Sequence, residues 1–217
     1  MSRLATRLVA VLAPVALLVP TAAHADQVTV DDAVGDAKAL NLADGLFAPS
    51  ADAGENPFLP APAETATDIT RTTIAHGRRV SVTTHFRDLV ETADHSVDIR
   101  IVTPDGRFSL SVGRSADGFV YTELFPPVLL VGDRPGRPRP CRSVRGRYDV
   151  AAETVTASVP AVCIGSPRWV QVAVGATRLQ VTPLGDGSVN LAGWADDAFR
   201  PSLSENSTGR SPKVRRG

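Results

Sequence analysis

The sequence predicts an all-β protein: an antiparallel, jelly-roll-like β-sandwich with one disulfide-stapled hairpin. Three observations lead there. Apolar and polar residues alternate with a period of two over much of the chain; about ten such runs recur, at roughly 8–12-residue spacing, between turn signals; and no stretch sustains a helical period. A closed barrel is the other architecture this pattern allows.

Taken in order, the strand candidates begin with residues 27–30 and 68–76. In the next run, Val80, Val82, Thr84 and Phe86 alternate with Ser81, Thr83 and His85. Val97, Ile99 and Ile101 then alternate with Asp98 and Arg100, and Phe108, Leu110 and Val112 with Ser109 and Ser111. Each of these reads as a strand with one wet face. Residues 119–125, 142–150, 154–159, 169–176 and 178–182 follow, and 188–192 closes the series with a weaker pattern. Gly77-Arg78, Pro104-Asp105-Gly106 and Asp117-Gly118 supply the turns between runs.

Ahead of the first strand, Arg3 and Arg7 precede an apolar run from Leu8 to Val19, and Ala23-His24-Ala25 offers a small-x-small cleavage site. The run contains Pro14 and falls short of the ~20 residues that span a bilayer, so residues 1–25 read as a cleaved secretory signal peptide and not as an anchor. The chain expected after cleavage starts at Asp26, is secreted and does not span a membrane. Residues 26–201 form one expected sandwich domain. Within it, residues 37–66 read as a long Ala/Pro/Asp-rich loop and residues 132–140 as an exposed, extended loop. Residues 202–217, ending in Lys213, Arg215 and Arg216, read as a flexible basic tail. With 23 basic and 23 acidic residues, the chain lacks the basic footprint that nucleic-acid binding requires.

Cys141 and Cys163 are the only cysteines. In an oxidising compartment they are expected to pair as a structural bridge, since they lack the Cys-x-x-Cys spacing of a redox pair. Register supports the bond. A hairpin turning around Ala151-Ala152-Glu153 pairs Val150 with Thr154 and Tyr148 with Thr156, and the same register sets Cys141 opposite Cys163.

Carboxylates supply the one candidate for ligand chemistry. Asp31, Asp32 and Asp36 surround Gly35, whose freedom at positive φ suits a turn that folds oxygens around a hard cation such as Ca²⁺. Asp68 at a strand start, and Asp196-Asp197 after Trp194, would add ligands; the candidate set is Asp31, Asp32, Asp36, Asp68 and Asp197. The plainer reading is an Asp/Gly turn whose side chains cap nearby N–H groups, and the EF-hand pattern is absent. His76, His85 and His95 read as solvated imidazoles. Trp169 reads as a core residue, while Trp194 is a candidate sugar-stacking platform. No nucleophile elbow, His-Glu-x-x-His helix, phosphate loop or dinucleotide fingerprint occurs, and no catalytic residue is assigned.

The 31–36 turn, TDITRTTIAHGRRVSVTTHFRDL at residues 67–89, VPAVCIGSPRWVQVAVGA at 159–176 and the basic 213–217 end together resemble a group of secreted actinobacterial proteins of uncharacterised function. The acidic turn followed by an Asp-Ile strand is also loosely similar to carbohydrate-binding and DOMON-like modules. Both resemblances imply a secreted β-sandwich and bring no catalytic residues. The expected function is non-enzymatic binding of a cell-envelope polymer or other extracellular ligand, with structural Ca²⁺ the one candidate cofactor. A secreted hydrolase with a loop-borne polar site is the second reading.

Overall fold

A computed structural model describes residues 26–40, 58–91, 94–125, 141–203 and 208–217. The signal peptide read at 1–25 and the 132–140 loop lie outside them. The strands are β1 (Asp26–Asp31), β2 (Lys38–Leu40), β3 (Phe58–Pro60), β4 (Ile69–His76), β5 (Arg79–Phe86), β6 (Asp94–Thr103) and β7 (Gly106–Arg114). They continue with β8 (Val120–Phe125), β9 (Arg145–Asp149), β10 (Thr154–Pro160), β11 (Trp169–Pro183), β12 (Val189–Asp197) and β13 (Val214–Arg215). The described chain is an antiparallel β-sandwich. Its five-stranded sheet runs β1-β4-β5-β10-β9, and its eight-stranded sheet runs β3-β2-β12-β11-β6-β7-β8 with β13 added against β11.

The alternating pattern fixes which face of each strand is buried. Val80, Val82, Thr84 and Phe86 of β5 point inward, as do Val155, Ala157 and Val159 of β10 in the same sheet. From the other sheet, Val97, Ile99 and Ile101 of β6 meet them with Val170, Val172 and Val174 of β11 in one continuous apolar cluster. Fully burying such a side chain stabilises by about 1.5–3 kcal/mol, so this cluster is the main source of stability. The outer face of the small sheet keeps the polar partners: Thr29, Thr73, Thr83 and Thr156 lie in one cross-strand row.

The hairpin is stapled as expected, with Cys141 and Cys163 bonded and their Cα atoms 5.8 Å apart. Its register differs by one residue from the expected one. Thr154 pairs with Asp149 and Val155 with Tyr148, because the turn takes in Val150 as well and holds Glu153 at φ 55°, with the Glu153 N–H donating to the Val150 carbonyl. A one-residue slip exchanges faces. Tyr148 therefore turns inward beside Val155, and the bridge forms beyond the ladder, with Cys163 in a short 3₁₀ turn (Ala161–Ile164).

Three further expectations are corrected. The two runs read at 169–176 and 178–182 are one strand, β11, whose second half passes beyond the core and so loses its buried face. The 37–66 segment contributes β2 and the edge strand β3 and buries Ala37, Glu64 and Ala66; residues 41–57 lie outside the described residues. The tail read at 202–217 is no free tail over its described last ten residues, because β13 pairs with Trp169 and Val170 and Val214 is wholly buried. That segment also reaches the small sheet, where the Gly217 N–H donates to the His76 carbonyl and the Arg215 N–H to Asp26.

Among the described residues no helix is long and apolar enough to cross a membrane. The disulfide fits an oxidising compartment.

Candidate metal centre

The loop after β1 turns sharply at Gly35, which sits at φ 83°, a conformation that strains any residue with a Cβ. The turn is held by Asp68, at the entrance to β4, whose two carboxylate oxygens accept the Gly35 N–H at 2.9 and 3.1 Å. Arg87 neutralises Asp68 from 2.9 Å. This clamp presents Asp32 and Asp36 to the end of β12, where Asp196 stands opposite Ala176 of β11 and points between the sheets. Asp196 Oδ2 accepts the Ile69 N–H of β4 at 2.8 Å, and Oδ1 accepts the Asp197 N–H at 2.8 Å.

Asp32, Asp36 and Asp196 each bring a carboxylate oxygen within 4.8 Å of the other two. Their hydrogen bonding is incomplete. Asp32 Oδ1 accepts the Ala33 N–H, but Oδ2 and both oxygens of Asp36 are sealed from solvent and take no hydrogen bond. Burial lifts Asp196 to about 8, with repulsion from Asp36 and Asp32 adding and the Ile69 N–H opposing. Burial likewise lifts Asp32 to about 7, and Asp36, Asp197 and Asp68 push in the same direction. Asp36 is raised by burial and then by Asp68, with Lys38 as an opposing charge. Three carboxylates this close, two of them with buried, unpartnered oxygens, are costly unless a proton or a cation joins them.

Of the residues expected from sequence, the structure brings together Asp32 and Asp36. Asp31 points outward from β1 into an exposed ion pair with Arg71 at 2.6 Å. Asp68 serves as the clamp just described. Asp197 faces away from its neighbour, accepting the Phe199 N–H at 3.1 Å and the Gly209 N–H at 2.7 Å. The third member is Asp196. Adjacent strand residues point to opposite faces, so only one of the Asp196-Asp197 pair faces between the sheets.

The centre offers only hard oxygen donors, and both oxygens of Asp36 are open to bidentate ligation; this donor set suits Ca²⁺, whose shell takes 6–8 oxygens, with backbone carbonyls and water completing it. Zinc sites draw on His and Cys, and neither residue belongs to the triad.

The other candidates disperse. Two of the three histidines expected to be solvated are not: His95 lies on the inward face of β6 in the core and His76 is covered by the C-terminal segment, while His85 lies on the outer face of β5. Trp194 carries the Arg178 guanidinium 4.0 Å above its ring, and Arg178 in turn binds Glu64 at 2.6 Å. Trp169 similarly carries Lys213 at 4.3 Å. Both indoles thus have a face occupied by a cation from this chain.

Fold and centre together define an antiparallel β-sandwich with an acidic centre between its sheets. No family model, curated protein or solved structure matches the chain.

Proposed function

We propose that the chain is a secreted, non-enzymatic β-sandwich that holds Ca²⁺ at Asp32, Asp36 and Asp196 and works as a binding module in the cell envelope or extracellular space. The observation that carries the cation reading is the set of three buried carboxylate oxygens without partners, Asp32 Oδ2 and both of Asp36. A bound divalent ion would satisfy all three and cancel the repulsion that raises the group.

The compartment rests on other support: the disulfide, the signal-peptide pattern of residues 1–25 and the resemblance to secreted actinobacterial proteins. Extracellular fluid supplies the calcium that such a site requires, and a cell-envelope polymer is the class of ligand we assign to the module.

Calorimetric titration of CaCl₂ into the chelator-stripped chain starting at Asp26, together with thermal melts, tests the reading. Saturable binding and a raised Tm are expected, and both should be lost in Asp36→Ala. A melting curve that millimolar Ca²⁺ leaves unmoved would refute it.

A further inference from the structure

The end of β12 does two jobs at consecutive residues. Asp196 enters the acidic triad, while Asp197 holds the returning C-terminal segment through the Gly209 N–H at 2.7 Å. Gly209 lies so close that a Cβ there would come within 2.8 Å of Asp197 Oδ1 and 2.7 Å of the Phe199 side chain. From that anchor the segment runs along β11. Ser211 exchanges bonds with Val172, its N–H donating to the Val172 carbonyl and its hydroxyl oxygen accepting the Val172 N–H. β13 then continues the edge, and the Gly217 N–H reaches the His76 carbonyl of the opposite sheet. Residues 209–217 therefore form a strap across the open side of the sandwich.

The two jobs are mechanically joined. The Asp197 N–H donates to Asp196 Oδ1, so a shift of the Asp196 carboxylate breaks that bond and moves the backbone that carries Asp197. The charge of Asp197 also acts on Asp32 and Asp36, which places it within the field of the triad. With a cation in place, Asp196 is held from both sides. Without one, nothing bridges the three side chains that stand within 4.8 Å of one another, and Asp196 is free to withdraw from Asp32 and Asp36.

We propose that cation occupancy of the acidic triad governs the docking of the C-terminal strap: the loaded centre fixes Asp197 and the strap stays closed, and the empty centre loosens it. This rests on the cation reading above. The coupling is reciprocal, so a docked strap must also raise cation affinity.

Hydrogen–deuterium exchange of the full chain from Asp26, with Ca²⁺ or with chelator, reads the strap directly, and calorimetry on the same samples reads binding. Amides of Ser211, Arg216 and Gly217 should exchange about tenfold slower with Ca²⁺ than without. Asp36→Asn, which keeps the side-chain volume but removes a ligand charge together with its share of the repulsion, should lose the Ca²⁺ dependence and show one exchange pattern in both buffers, with circular dichroism confirming its fold. Gly209→Ala should release the strap even with Ca²⁺ present, and should weaken Ca²⁺ binding although residue 209 is outside the triad. Calcium that binds by calorimetry yet leaves strap exchange unchanged overturns the coupling and spares the cation reading. Absence of calorimetric binding overturns both.

Discussion

The hydroxyl oxygen of Tyr148 lies 3.0 Å from both Nδ1 and the backbone carbonyl of His95, which ties the edge strand of one sheet to the middle of the other. The Val112 carbonyl lies 3.2 Å from the same hydroxyl, so three polar groups, His95 Nδ1 and the carbonyls of His95 and Val112, converge on it. Phe86 and Tyr148 pack edge-on against the imidazole at 5.1 and 5.7 Å. Gly146 lets this strand close on its neighbours, since a Cβ there would come within 2.2 Å of the Thr122 hydroxyl and 2.6 Å of Val112.

Removing that hydroxyl leaves His95 Nδ1 and a carbonyl without their partner in a dry site. Tyr148→Phe should therefore cost ~1–3 kcal/mol in urea denaturation. An unchanged midpoint would mean that the hydroxyl's hydrogen bonds across the sheets add nothing net to stability.

His95 also sets an acid limit. Burial pushes its imidazole down to about 4, the Ala66 backbone opposing only in part, against 6.5 in the unfolded chain. Below pH 6.5 the unfolded state binds a proton that the folded state refuses, so stability is full above 6.5 and falls as pH drops toward 4, by about 3 kcal/mol. His76, lowered by burial beneath the strap, works in the same direction. Urea melts from pH 7 to 4.5 in saturating Ca²⁺ should show the loss, and His95→Gln should flatten it relative to the parent chain.

Calcium should compete with protons. Asp32 at about 7 and Asp196 at about 8 hold protons near neutrality in the metal-free centre, and the ion must displace them. Calorimetric affinity should fall by up to roughly tenfold per pH unit for each displaced proton between pH 8 and 6. A flat profile would mean that the ion does not use these carboxylates.

In chelator, Asp36→Asn should raise stability by about 1–2 kcal/mol, because it removes a charge from a crowded buried group. The parent chain should instead gain about 2.7 kcal/mol from Ca²⁺ at 100 times its dissociation constant. If the variant proves less stable than the parent in chelator, the triad is not under the repulsion described.

The Cys141–Cys163 bridge closes the hairpin outside its ladder, where no strand hydrogen bonds duplicate the constraint. Replacing both cysteines by serine should lower stability by ~2–5 kcal/mol. Thiol titration of the unfolded, unreduced chain should find no free thiol.

The long strands were legible because one buried and one wet face leave a period-two trace, as in Val80 to Phe86. β2, β3 and β13 leave no such trace. Lys38, Pro60 and Arg215 are extended because a partner strand receives them, and that information resides in the partner. The 150–153 turn was misread by one residue because a non-glycine residue, Glu153, adopts positive φ there, which composition does not announce. Asp32 and Asp36 were legible from the turn around Gly35. Choosing Asp196 over Asp197 required knowing which face of β12 looks across to Ile69, a property of the assembled sheets.

Asp32 and Asp36 come from the first loop of the described chain, and Asp196 from the last long strand. Contacts so distant in sequence form late, after the hairpins that depend only on neighbours. An emerging chain can therefore assemble β4–β5 and β6–β7 long before it owns a complete ion site. If the centre takes an ion as proposed, its capture would coincide with the arrival of β12, so the site would be completed only as the sandwich closes.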